Sequence, residues 1–146
     1  SDLWGCWIMR GAMNDFVLHH VSIITADLER SLEFYRDVLG LVQIDRPPFD
    51  IGGAWLACGA SQLHLVDYPA GTYRGKSTID NNDIHFALRV SNFDETLLLL
   101  IGKGFREDLP EGDAKRMMVK RTGPAGFPQI YLLDPDGHVL EINAAR

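Results

Sequence analysis

The sequence has two cysteines in 146 residues, Cys6 and Cys58. Two are too few for a disulfide framework, and no C-x-x-C spacing is present, so both thiols are expected free and the cytoplasm is the expected compartment. An excess of positive charge is also lacking. Fourteen Lys and Arg face twenty Asp and Glu, a net charge of −6, with no basic stripe on any predicted element, so no nucleic-acid partner is expected. Long hydrophobic runs are missing as well: none approaches the ~20 residues needed to span a bilayer, so no membrane partner is expected. The opening residues hold Trp4, Cys6, Trp7, Ile8 and Met9 without the charged and then apolar regions of a signal peptide, and residues 1–15 are read as an N-terminal extension. What the chain does have is 46% hydrophobic residues, enough for one domain with a real core over 16–146.

Within that domain the same half occurs twice. The run from His20 to Leu28 aligns without a gap on the run from His85 to Phe93, and the run from Trp55 to Leu65 aligns on that from Leu132 to Ile142. Each His of the first pair opens an apolar stretch leading into a helix start. In the second pair His64 falls opposite Glu141. Four imidazole or carboxylate groups at repeat-equivalent positions suggest one metal held between two related modules. Halves of this size are marginal alone and are expected to fold together.

The pattern of breakers and apolar residues gives β-α-β-β-β in each half: module one over 16–67, a linker over 68–82 rich in Pro, Gly and polar residues, and module two over 83–146. In the first, a strand is predicted over Phe16–Ile24. Asp27 then caps a helix whose Leu28, Leu32, Tyr35 and Leu39 share one face, and Gly40 ends it. Strands follow at 41–45, 54–58 and 62–67. In the second, a strand over 84–90 precedes a helix capped by Asn92 with Glu95 as its partner, and strands are predicted at 105–109, near 117–120, at 129–133 and at 139–143. The repeat offset grows from 65 to 77 residues, which places about 12 extra residues between Pro110 and Phe127. A loop there is a candidate lid or substrate-selecting segment, with disorder as the plain alternative.

Alternation along strands then assigns faces. Val21 and Ile23, like Ile84, Phe86 and Leu88, point to the helices, so His20 and His85 point away from them, beside the small Ser22 and Ala87. The same test turns His64 and Glu141 to the ligand face. An ionised carboxylate between Leu140 and Ile142 is expensive to desolvate alone, and a cation supplies a partner. Hairpins closing over Gly59-Ala60 and Asp136-Gly137 would set Trp55 across from His64 and Leu132 across from Glu141. His64 is read either as a fourth ligand or as a general acid/base beside the metal, since an imidazole pKa near 6.5 suits proton transfer at neutral pH. His19 and His138 are read as ordinary histidines. Arg46, Arg89 and Arg121 could hold an anionic substrate next to Trp55, the alternative for each being a solvated surface arginine.

These motifs, above all Leu18-His19-His20-Val21, Asp27 to Tyr35, His85-Phe86-Ala87-Leu88 and Leu133-Asp134-Pro135-Asp136-Gly137-His138-Val139-Leu140-Glu141-Ile142, resemble the vicinal oxygen chelate superfamily of glyoxalases, bleomycin-resistance proteins and extradiol dioxygenases. The resemblance covers residues 18–143 and lies nearest to glyoxalase-I-like proteins of unassigned substrate. It implies an α+β fold of two paired βαβββ modules, a curled mixed sheet around a metal cleft with helices outside. It also implies one divalent ion (Ni, Zn, Fe, Mn or Co) on His20, His85 and Glu141, a small-molecule substrate and a homodimer. Glyoxalase I usually has Glu where this chain has His64. The activity so implied is a lyase or isomerase acting on an oxygen-rich metabolite or thiol adduct, with His64 or Glu141 moving a proton. The alternatives are an Fe(II) extradiol-type dioxygenase and a non-catalytic drug- or metabolite-binding protein.

Overall fold

The computed structural model describes residues 15–146, so Trp4, Cys6, Trp7, Ile8 and Met9 lie outside the described residues. The repeat is visible as one topology built twice. The first copy runs β1 (His20–Thr25), α1 (Leu28–Leu32), a wider π-helical turn (Glu33–Val38), β2 (Val42–Ile44), β3 (Gly53–Cys58) and β4 (Ser61–Asp67). The second runs β5 (His85–Arg89), α2 (Phe93–Gly102), β6 (Met117–Lys120), β7 (Gln129–Leu133) and β8 (Val139–Asn143). Each copy is a four-stranded mixed sheet, ordered β1-β4-β3-β2 and β5-β8-β7-β6. The first strand of each pairs parallel with the last, and the remaining pairs are antiparallel. The α+β class expected from the sequence is therefore the class observed.

The caps sit where the sequence put them. The Asp27 side chain accepts from the Arg30 N–H at 3.3 Å, and the Asn92 side chain accepts from the Glu95 N–H at 3.1 Å. Gly40, at φ +79°, reverses the chain while the Leu41 N–H donates to the Tyr35 carbonyl, closing the helix end. Two strands differ from expectation. β1 begins at His20 rather than Phe16 because its partner β4 begins at Ser61, just past the Gly59-Ala60 turn; the pairing runs out as the Gln62 N–H donates to the His19 carbonyl and the Ser61 hydroxyl to the Leu18 carbonyl. Phe16, Val17 and Leu18 stay exposed. The strand predicted at 105–109 is reduced to a bridge between Arg106 and Arg116, with Pro110 and Gly112 diverting the chain just beyond it.

One core joins the two copies. Leu32, Phe34 and Tyr35 from the first helical segment pack with Leu100, Phe105, Leu132 and Leu140 from the second copy, with Phe86 against them. Polar ties reinforce this joint. Tyr35, fully buried, donates its hydroxyl to Asp134 Oδ2 at 2.7 Å; Asp136 accepts from the Ala26 N–H and the Ser31 hydroxyl; His138 Nε2 donates to the Ile24 carbonyl at 2.7 Å. Burial and the neighbouring Asp134 push the Tyr35 phenol well up, so it stays a donor. Tyr35→Phe leaves a buried carboxylate oxygen without this donor and is expected to cost about 1.5–3 kcal/mol. In urea unfolding it lowers the midpoint with the slope unchanged; a midpoint equal to wild type would show the bond to be idle.

Candidate metal centre

The four predicted ligand residues come together in the single chain as two pairs. His20 on β1 and His64 on β4 are neighbours across a parallel ladder, their rings stacked with centroids 4.0 Å apart and planes 16° apart. His85 on β5 and Glu141 on β8 are neighbours across the equivalent ladder, with His85 Nε2 3.6 Å from Glu141 Oε1. Among the described residues the group of three or more potential ligands that gathers within 4.8 Å is Asp134, Asp136 and His138, so no three of the predicted four do so within one chain. That acidic group is the structural joint described above. Asp134 Oδ1 already accepts the N–H groups of Asp136 and His138, and Oδ2 accepts from Tyr35.

The pair on the second sheet is tightly held. Glu141 is 6% exposed. Asn143 Nδ2 donates to its Oε2 at 2.6 Å and Gln129 Nε2 to its Oε1 at 3.2 Å. Burial alone would raise the carboxyl, but the hydrogen bonds from Asn143, Tyr131 and Gln129 and the proximity of His85 hold it below the usual carboxylate range. His85 Nδ1 donates to the Asp83 carbonyl at 2.8 Å, which leaves the lone pair on Nε2, the atom facing Glu141. Around them Tyr131, Leu133 and Val139 form a small apolar cluster with Ile79 from the linker packed against it.

One sequence expectation is corrected here. Tyr131, not Leu132, lies opposite Glu141. The connection is a five-residue loop, 134–138, organised by the Asp134 carboxylate and by Gly137 at φ +84°, rather than a two-residue turn over Asp136-Gly137, and this moves the register by one. The shift replaces an apolar neighbour with a phenol. Burial and the Glu141 charge push Tyr131 up to about 12, so it is a neutral donor beside the carboxylate. Gln129, Tyr131 and Asn143 were not singled out from the sequence. Their two-residue spacing was the available signal, since it sets them on the ligand face of β7 and β8.

On the first sheet the expected register holds, with Trp55 opposite His64. Its indole stacks on His64 at 4.1 Å, the planes 4° apart, and Phe49 leans on the far side at 6.0 Å. His64 is 7% exposed, and burial, with His20 beside it, lowers its pKa. Next to this row is a hollow of about 420 Å³ lined by Ser22, Arg46, Phe49, Ile51, Trp55 and His64, among others. Arg46 lies over Gly53, where a Cβ would come within 3.0 Å of the guanidinium; it donates to the Ile51 carbonyl, and its buried Nε has no partner among the described residues. The other two arginines stand elsewhere. Arg89 Nε donates to Asn143 Oδ1, with the guanidinium over Phe127, while Arg121 forms an exposed ion pair with Glu107 at 2.9 Å.

His20, Ser22, His85, Ala87 and Arg89, which all point away from the helices, are exposed in the single chain. No helix among the described residues is long and apolar enough to cross a membrane.

Comparison with known proteins identifies the family. The sequence is 30% identical over 127 residues to Glyoxylase I 4 of Arabidopsis thaliana, covering 86% of this chain and 68% of that protein. It is 28% identical over 130 residues to metallothiol transferase FosB of Staphylococcus saprophyticus, covering 86% and 75%. The fold superposes on a glyoxalase/dioxygenase from Nostoc punctiforme with a TM-score of 0.66 at 19% identity, over 92% of this chain and 94% of that one. Residues 17–142 match the family model of the Glyoxalase/Bleomycin resistance protein/Dioxygenase superfamily, and the chain belongs to that superfamily.

Proposed function

We propose that this protein is a divalent-metal-dependent lyase or isomerase of glyoxalase-I-like type, a cytoplasmic homodimer acting on a small oxygen-rich metabolite or its thiol adduct. The observation that carries the reading is the His85 and Glu141 pair. Its 3.6 Å spacing is too long for a hydrogen bond and close to that of two donor atoms sharing one ion, about 3–3.5 Å for bonds of about 2.0–2.2 Å. Donor chemistry fits as well: an imidazole with its other nitrogen tied to a carbonyl, and a buried carboxylate kept ionised. Two relatives, a glyoxylase and a metallothiol transferase, point the same way.

In this reading His20, His85 and Glu141 hold the ion, with His64 in the same site. Because His20 and His64 lie on one exposed sheet face and His85 and Glu141 on another, a site is completed by two chains, each offering one face to the other. When bound, the ion supplies Lewis acidity to adjacent oxygens of the substrate. The chain's own groups do the rest. Arg46 orients an anionic end of the substrate in the hollow, Trp55 and Phe49 keep water from it, Tyr131 donates to an oxygen, and Glu141 or His64 moves a proton at carbon next to a carbonyl. Arg89 and Arg121 are further candidates for the substrate's charge, Arg89 being the better placed on the exposed ligand face.

The test is solvent deuterium exchange. Protein carrying a full complement of divalent metal is expected to exchange the α-proton of at least one thiol adduct in a panel of 2-oxoaldehydes. No exchange across the panel, with the metal present, removes the lyase or isomerase reading. Two histidines and one carboxylate also suit an Fe(II) oxygenase, and oxygen uptake with catechols, absent exchange, would select that second reading.

A further inference from the structure

Resting on the metal-site reading above, we infer that His64 is not a metal ligand but a positioning residue, which holds the His20 ring by stacking and leaves a ligand set of His20, His85 and Glu141. Two independent features of the geometry carry this.

The first is the stack. A ligating imidazole directs its lone pair in the plane of the ring, so one ion bound by two imidazoles must lie in both planes. The His20 and His64 planes differ by only 16° with centroids 4.0 Å apart. Planes so nearly parallel do not meet within a metal–nitrogen bond of about 2.0–2.1 Å. Nor is the His64 ring free to swing, because its other face is covered by Trp55 at 4.1 Å and 4°. The row His20, His64, Trp55 and Phe49 crosses the sheet with His64 clamped inside it. Any rotation of His64 toward an ion opens both of its contacts.

The second is which nitrogen is already committed. His85 spends Nδ1 on the Asp83 carbonyl and keeps Nε2, at the tip of the ring, for a ligand. In His20 it is again Nδ1 that is engaged, with His19 Nδ1 at 2.8 Å; with His20 as donor, the lone pair is on Nε2. His64 is reversed. Its Nε2 lies 2.8 Å from Gln62 Oε1, which can only accept, so the tip of the ring carries the proton and the remaining lone pair is on Nδ1, next to the backbone. Thus two of the three histidines present their outer nitrogen, and the third has it blocked.

His64→Phe decides the matter, since it keeps a flat ring in the stack and removes both nitrogens. The measurements are Co2+ titration, read as affinity and as the visible Co(II) spectrum, on wild type, His64→Phe, His64→Ala and His20→Phe. The expected result is that His64→Phe binds one Co2+ per chain within about threefold of wild-type affinity and with the wild-type spectrum. His64→Ala, which frees the His20 ring, weakens binding about 10-fold and alters the spectrum, as loss of a group that orients a ligand does. His20→Phe loses binding by more than 100-fold. A His64→Phe protein that falls in step with His20→Phe, or whose spectrum shows a lost nitrogen, overturns the inference and restores a four-residue set. A His64→Ala protein indistinguishable from wild type overturns the positioning role. Wild-type protein that takes up no Co2+ fails the metal-site reading itself, and the inference with it.

Discussion

An equimolar mixture of His20→Ala and Glu141→Ala chains, unfolded together and refolded, is expected to recover roughly one quarter of the wild-type metal sites and activity, although each variant alone has none. The fraction follows from symmetry. Half of the refolded dimers are mixed, and in each mixed dimer one site draws its first-sheet pair and its second-sheet pair from unmutated faces while the other inherits both lesions. The structural basis is that the two pairs occupy separate sheets whose helical sides share one core, leaving His20 on one sheet and His85 on the other exposed. Metal content measured after removal of free ion checks the outcome. Zero recovery, with dimers confirmed by light scattering, would place each complete site within a single chain.

The second large effect is expected at Glu141. Replacing it with Gln keeps the size of the side chain but leaves one acceptor oxygen where two now accept from Asn143 and Gln129, and it removes the charge that those donors and His85 stabilise. Affinity for divalent metal should fall by at least 100-fold, more than the 10–100-fold typical of groups that only orient a ligand. The same change separates folding from binding. Wild-type protein at a metal concentration 100 times Kd gains about 2.7 kcal/mol of stability, visible as a rise in Tm; Glu141→Gln at that concentration should gain almost none. The metal-free variant should be less stable than metal-free wild type, because the surroundings of Glu141 favour the charged carboxylate over a neutral group and the amide turns its NH2 toward one of the two donors. Equal Tm rises in the two proteins would exclude Glu141 from the ion.

Much of the architecture was legible in the chain because it is governed by local rules. Asp27 and Asn92 cap helices since each offers a short acceptor just ahead of unpaired N–H groups. Gly40 stops the first helix since the reversal there needs a positive φ. The faces of β1, β3, β4, β5 and β8 followed from alternation, and Trp55 opposite His64 followed from a tight turn at Gly59.

What the chain did not disclose was set by partners distant in sequence. Phe16 to Leu18 have strand composition, but a strand exists only where another runs beside it, and β4 starts too late. The register of β7 on β8 depended on the Asp134 carboxylate taking two N–H groups within the loop, which composition cannot reveal, and that one-residue shift brought Tyr131 to Glu141. Local pattern therefore determined which residues turn toward the ligand face and which bury beneath it, since periodicity along a strand needs no knowledge of the rest of the fold. Only tertiary packing decided that the His20 ring closes the stack on His64, and that the two candidate pairs, His20 with His64 and His85 with Glu141, stand on separate sheets. The His20 stack and the shared core are contacts between segments tens of residues apart, whose geometry is fixed when the segments meet.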